Sequence, residues 1–271
     1  MLQVARLAPN LLQEAAEPVA RFLREQFNDD GGARDRAGKS DLYYTVFALE
    51  GLIALRQDPP ADKVKRYLEA FGNGKGLDFV HLTCLARCWA AIGEKWAATG
   101  FLTGFRRTLE VVMGGDGSVY QEFLKFGALE DLGVDMLERK DQVTKRILGL
   151  QSPDGSFLGT TPTTAGAVTL LHHVGADVPQ NAVDWLLARA QPKGGFLPAP
   201  DSPLPDLLST ATALHALTAA HASIGALKDP MLDYVDTLWT GKGFCGSWAD
   251  DVVDSEYTYY GLLALGHLSL A

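Results

Sequence analysis

Two kinds of apolar patterning alternate along the chain. The first sets apolar residues at helical spacing beside a charged face, in Leu11 to Phe27, Asp62 to Phe71, Gly100 to Met113, Asp141 to Gln151, Ala182 to Gln191 and Leu232 to Thr240. Charges at outward positions, such as Arg21 and Arg24, Lys63 and Arg66, and Arg106 and Arg107, predict helices with one wet face. The second kind is mostly uncharged and rich in Ala, Leu, Thr and Gly, in Asp41 to Leu55, Asp78 to Ala91, Tyr120 to Leu132, Thr163 to His173, Asp206 to Ala219 and Asp254 to Leu270. Helices that are apolar nearly all round belong inside a protein. A Gly-rich turn separates the two members of each pair, at a loose period of about 40 residues. Six wet–dry pairs fit a closed ring with the dry helices inside, as one domain over residues 1–271. No run shows sustained period-2 alternation, so the reading is all-α.

The first and last dry runs open on the same motif. Asp41-Leu-Tyr-Tyr44-Thr45-Val-Phe-Ala-Leu49 and Asp254-Ser-Glu-Tyr257-Thr258-Tyr-Tyr-Gly-Leu262 both fit Asp-x-x-Tyr-Thr-x-aromatic-small-Leu, 213 positions apart. Ring closure would bring the two copies side by side. Asp41, Asp78, Asp206 and Asp254 each stand just before a dry run, where a carboxylate accepts orphan backbone N–H groups and meets the helix dipole favourably.

Composition narrows the function classes. Among 271 residues, 47% are apolar and 21% charged, as in an ordinary soluble globular protein. The formal net charge of −9 comes without a Lys/Arg block, which argues against nucleic acid or an anionic membrane as partner. No uncharged apolar run approaches the roughly 20 residues of a membrane helix, and Met1 to Ala20 lacks a signal-peptide core, so a cytoplasmic location is expected. Cys84, Cys88 and Cys245 exclude a disulfide framework, and Cys84 and Cys88 read as small core residues one helical turn apart. His172 and His173 end a dry run, where basic groups are favourable, and His81, His215 and His267 read as hydrogen-bonded core or lining residues. No phosphate-binding Gly-Lys-Ser/Thr loop, nucleophile elbow or His-x-x-x-His pair is present.

Gln151-Ser-Pro-Asp-Gly-Ser-Phe157, Gln191-Pro-Lys-Gly-Gly-Phe196 and Phe244-Cys-Gly-Ser-Trp248 resemble the repeat signature of the prenyltransferase and squalene-cyclase family. The resemblance spans essentially the whole chain and is nearest to protein geranylgeranyltransferase β-subunits. It implies an α6-α6 toroid, six inner helices around a central apolar cavity and six outer ones around them. In protein prenyltransferases zinc is held by an Asp, a Cys two residues later and a His in the last repeat, and the matching positions here are Asp206, Leu208 and Tyr257. The diphosphate-contacting positions correspond to Pro200, Pro203, Ser209 and Thr212, and a further His position to Thr164. Leucine cannot bind zinc, neutral tyrosine is a poor ligand, and such sites need at least three protein ligands. A loop of prolines and Asp201 cannot neutralise a diphosphate as closely placed Arg or Lys would. No metal or cofactor is therefore expected. The loop Arg34-Asp-Arg36-Ala-Gly-Lys39 is the other place to look for diphosphate contacts, and its plain reading is a solvated loop. The toroid's class II terpene cyclases protonate an alkene with the middle Asp of Asp-x-Asp-Asp-Thr-Ala, and Leu208 stands at the comparable position of Asp206-Leu-Leu208-Ser-Thr-Ala211.

Three functions follow as expectations. The leading one is a toroid that binds an isoprenoid or other apolar ligand in its cavity without prenylating a protein, with Tyr44, Leu208, Tyr257 and Thr164 facing the ligand. The second is an active prenyltransferase or cyclase with a rebuilt site, its acids drawn from Asp206, Asp250, Asp251 and Asp254, since clustered carboxylates raise one another's pKa. The third is a non-catalytic module for a protein partner, its cavity filled by side chains.

Overall fold

Four aspartates start four helices, each with its backbone extended and its carboxylate turned onto the first amides. Asp41 accepts from Tyr43 and Tyr44 at 2.8 and 3.3 Å, Asp78 from His81 at 2.9 Å, Asp206 from Ser209 at 2.6 Å and Asp254 from Tyr257 at 2.8 Å. Such a cap satisfies donors that the helix itself leaves open. The computed structural model describes residues 1–93, 117–131, 133 and 140–271.

The described residues are mostly helical. Two short helices, α1 (Leu2–Ala5) and α2 (Pro9–Leu12), precede α3 (Ala16–Glu25), α4 (Leu42–Ala54), α5 (Ala61–Glu69) and α6 (Phe79–Ala91). Then come α7 (Val119–Asp131), α8 (Lys140–Leu148), α9 (Thr161–His173), α10 (Gln180–Leu187), α11 (Leu207–Ala219), α12 (Lys228–Thr237) and α13 (Ser255–Leu268). Wet runs became helices with one buried stripe, such as Val64 and Leu68 of α5 or Val143 and Ile147 of α8. Dry runs became helices buried on most sides, with Leu42, Val46, Leu49 and Leu52 of α4 all at 1% exposure or less. The dry helices pack in cyclic order: α4 on α6, α6 on α7, α7 on α9, α9 on α11, α11 on α13, and α13 back on α4. Outside this ring α3 packs on α4, α5 on α6, α8 on α9, α10 on α9 and α11, and α12 on α13. The wet run Gly100 to Met113 lies outside the described residues.

The threonine four residues after the capping position ties each helix to the turn before it. Thr45 Oγ1 accepts the Ala33 amide at 2.8 Å, Thr164 that of Phe157 at 3.0 Å, Thr210 that of Phe196 at 2.9 Å and Thr258 that of Phe244 at 3.3 Å. Thr45 and Thr210 also donate to the carbonyls of Asp41 and Asp206, at 2.6 and 2.7 Å. Two turn glycines explain how the pairs stack. Gly155 (φ +93) and Gly194 (φ +91) sit against the first turn of the following wet helix, where an added Cβ would overlap the carbonyls of Asn181 and Pro230.

One element departs from an all-α reading. Cys245–Ser247 and Asp250–Val253 form an antiparallel hairpin with an irregular register. Strands of three and four residues are too short to reveal alternation. Cys84, Cys88 and Cys245 are buried free thiols, and no helix among the described residues is long and apolar enough to cross a membrane.

Candidate functional site

A hollow of about 310 Å3 lies within the ring. Each helix contributes one stripe at helical spacing: Tyr43, Val46 and Phe47 from α4; Val80, Cys84 and Arg87 from α6; Tyr120, Phe123 and Leu124 from α7. Pro162, Ala165, Gly166 and Thr169 come from α9, Leu208 and Thr212 from α11, and Tyr259 and Tyr260 from α13. The helices are apolar all round because one stripe faces this hollow while the others face neighbours. Cys84 is no nucleophile here, since burial pushes its thiol up to about 12.

Among the described residues, the one charged side chain in this lining is Arg87. It pairs with Glu50 of α4, and Asp131 of α7 stands 3.7 Å away. Burial opposes its charge, but Glu50 and Asp131 outweigh that and raise its pKa. Asp131 itself is pushed up to about 6 by burial, with Arg87 opposing. Beyond Arg87, a second hollow of about 500 Å3 runs toward the helix C-termini, bordered by Glu50, Glu130, Asp131, His173 and His215. His173 bonds Glu130 at 2.8 Å, and His215 Nδ1 meets His267 Nε2 at 2.9 Å. Burial depresses both members of that pair, His267 to about 4, so each is neutral near pH 7.

At the opposite end, the first and last repeats meet. Tyr43 donates to Glu256 Oε1 at 2.6 Å, and the Ser255 hydroxyl to the Tyr44 carbonyl at 3.0 Å. Burial pushes Glu256 up to about 7, while the Tyr43 hydrogen bond pulls the other way. Arg36 reaches across to Asp254 at 2.8 Å and Asp250 at 2.9 Å, with its guanidinium 5.4 Å from the Tyr257 ring centre. The Arg34–Lys39 loop is thus a clasp at Arg36, and that cation is already neutralised.

Of the ligand-facing residues expected, Leu208 lines the hollow and the other three do not. Thr164 is fully buried and holds the Phe157 amide. Tyr257 packs under Arg36 and against Gly246, and Tyr44 contributes its carbonyl to ring closure. Among the acids, Asp206 caps α11, Asp250 and Asp254 are bound to Arg36, and Asp251 is exposed on the hairpin. Among the described residues, no group of three or more His, Cys, Asp or Glu converges as a metal site. Sequence reasoning missed Tyr120 and the Arg87–Glu50 pair. That pair did leave a signal: each is the lone charge inside its dry helix, and two adjacent inner helices bury unlike charges only together.

Residues 13–88 and 163–269, about two-thirds of the chain, match the family model of the prenyltransferase alpha-alpha toroid domain. The matched stretches hold α3 to α5, most of α6 and nearly all of α9 to α13. A search of curated proteins found none that matches.

Proposed function

The chain belongs to the prenyltransferase alpha-alpha toroid family, and from that premise we propose that it binds an isoprenoid or other apolar ligand in its central hollow and does not prenylate proteins. On this proposal residues 1–271 form one six-hairpin toroid, akin to protein geranylgeranyltransferase β-subunits but without their zinc and diphosphate positions. The observation that carries the reading is the hollow itself. It is walled almost wholly by apolar and aromatic side chains, and its about 310 Å3 falls within the roughly 300–1,000 Å3 usual for ligand pockets. An apolar cavity of about 150 Å3 holds a benzene ring, so this one has room for roughly ten to fifteen carbons. A cavity filled by side chains, as a purely structural module would have, does not fit that volume.

The donor set at the family's zinc position does not fit the metal. Asp206 is the single carboxylate, its Oδ1 is engaged by the Ser209 amide, and Leu208 and Tyr257 hold the other two places. Zinc sites draw on three or more His, Cys or carboxylate ligands, so no step through zinc is derived. Three of the four acids of a rebuilt catalytic site are committed elsewhere, to a helix cap at Asp206 and to Arg36 at Asp250 and Asp254, and the fourth, Asp251, is exposed on the hairpin away from the hollow's lining.

Native mass spectrometry of the purified protein, with extraction and identification of co-purifying lipid, tests the proposal. Stoichiometric apolar ligand released on denaturation is the expected result. A ligand-free protein that also fails to take up added isoprenoids defeats it, and stoichiometric zinc would overturn the assignment of the family positions.

A further inference from the structure

At the end of the hollow away from Arg87, three phenols and a carboxylate gather. Tyr43, Tyr120 and Tyr260 line it, and Glu256 stands one hydrogen bond behind the wall, bound to Tyr43 at 2.6 Å. Tyr43 and Tyr260 flank the same ring, that of Phe47, with ring centres 4.9 and 5.5 Å from it, and Tyr260, Glu256 and Tyr120 all add to the rise that burial gives the Tyr43 hydroxyl. With its proton committed to Glu256, the Tyr43 hydroxyl is left to act as an acceptor. The hydroxyls of Tyr120 and Tyr260 have no hydrogen-bond partner among the described residues, so each has a proton to give. This end therefore asks its occupant both to donate and to accept.

An anionic head accepts only, and it would lie close to the Glu256 carboxylate. Among the described residues, the cations that line the hollow lie at its other end: Arg87, paired with Glu50 and with Asp131 close by, and the Met1 amino group, whose charge burial disfavours. The phenol end therefore offers an anion no positive charge. An ammonium head donates only and leaves the phenol protons unanswered. A hydroxyl does both.

We infer that the hollow takes a neutral alcohol, an apolar body of roughly ten to fifteen carbons whose terminal hydroxyl sits between Tyr43 and Tyr260, in preference to the matching diphosphate. This rests on the apolar-ligand reading above and adds the head group to it.

Calorimetric titration with farnesol, farnesene, farnesyl diphosphate and farnesylamine, on the wild type and on Tyr43→Phe and Tyr260→Phe, tests the inference. Farnesol is expected to bind about three- to tenfold more tightly than farnesene, the worth of one good hydrogen bond. The diphosphate should bind at least roughly tenfold more weakly than farnesol, in line with the cost of desolvating an unpaired charge. Each Phe variant should lower farnesol affinity about three- to tenfold and leave farnesene unchanged, and having two variants guards against one that fails to fold. Equal binding of farnesol and farnesene overturns the head-group inference while leaving the apolar-ligand reading intact. Tighter binding of the diphosphate or the amine than of the alcohol also overturns it. Binding of none of the four removes the apolar-ligand reading and the inference with it.

Discussion

Asp254 serves two partners at once, with Oδ1 accepting the Tyr257 amide of its own helix at 2.8 Å and Oδ2 accepting Arg36 from the first repeat at 2.8 Å. One carboxylate thus starts the last inner helix and fastens it to the chain's beginning. The Asp254 side chain is only 6% exposed, so removing Arg36 strands a buried charge. Arg36→Ala is expected to cost about 1–3 kcal/mol, or roughly 2–5 °C in Tm, measured by calorimetry. A double-mutant cycle with Asp254→Asn, which keeps the cap and loses the charge, should show coupling of at least about 0.5 kcal/mol. Strictly additive effects would mean that the clasp contributes nothing.

The repeated threonines offer a second test. Thr210 is fully buried and is the acceptor for the Phe196 amide, so Thr210→Val leaves that donor without its partner inside the core. The expected loss is about 1–3 kcal/mol in urea unfolding at unchanged m-value. Thr210→Ser, which keeps the hydroxyl, should lose clearly less. Equal losses in both would assign the effect to the methyl group instead.

These contacts mark the limit of what was legible in the sequence. Helix positions could be read because apolar stripes and capping aspartates are local, and α4, α6, α11 and α13 begin one residue after the expected Asp. The role of Thr45 and its equivalents was not legible, because their partners lie 7 to 14 residues upstream in irregular turns. Asp250 and Asp254 read as an acid cluster because their cation, Arg36, is 214 and 218 residues distant. Tyr43 and Glu256 occupy the same place in the two copies of the opening motif, yet only ring closure brings them into contact. Tyr44 and Tyr257 are the shared tyrosines of the motif, whereas the residues that meet are at a position where the copies differ.

Two glycines at similar φ separate backbone strain from packing. Gly194 (φ +91) lies against the Pro230 carbonyl and Tyr234, whereas Gly241 (φ +85) has open space where a Cβ would go. Gly241→Ala should cost about 1–2 kcal/mol from the left-handed backbone alone. Gly194→Ala should cost about 3 kcal/mol or more, because the next wet helix must also move. Thermal melts of the two variants side by side decide the matter, and equal shifts would refute the stacking role assigned to Gly194.

Glu256 makes stability depend on pH in a defined direction. Burial raises its folded-state pKa from 4.5 to about 7, with Asp254 adding to the rise and Tyr43 and Arg36 opposing it. The folded protein then holds a proton that the unfolded chain has released. Its stabilising contribution is complete below pH 4.5 and is lost as pH rises through about 7. Glu256→Gln carries no such titration. The stability of this variant relative to wild type should therefore grow by about 1–3 kcal/mol between pH 4.5 and 7.5, in urea melts across that range. A constant difference would show that Glu256 titrates normally.

Filling the hollow separates its role from that of the surrounding core. Gly166 of α9 faces the hollow, and a Cβ there would meet Val119 and Phe123 only at ordinary contact distances of 3.8 to 4.0 Å. Gly166→Leu can therefore direct its side chain into the empty volume without displacing the ring. Replacing a mid-helix glycine also favours the helix, by roughly 0.5–1 kcal/mol. The variant is expected to unfold at the same temperature as wild type or higher, while its affinity for an added isoprenoid falls at least about tenfold, a loss of roughly 1.4 kcal/mol. Retained affinity at unchanged stability would move the ligand site away from the hollow. Lost stability would instead mean that the space is taken up by motions of the inner helices, and the cavity would then be no preformed pocket.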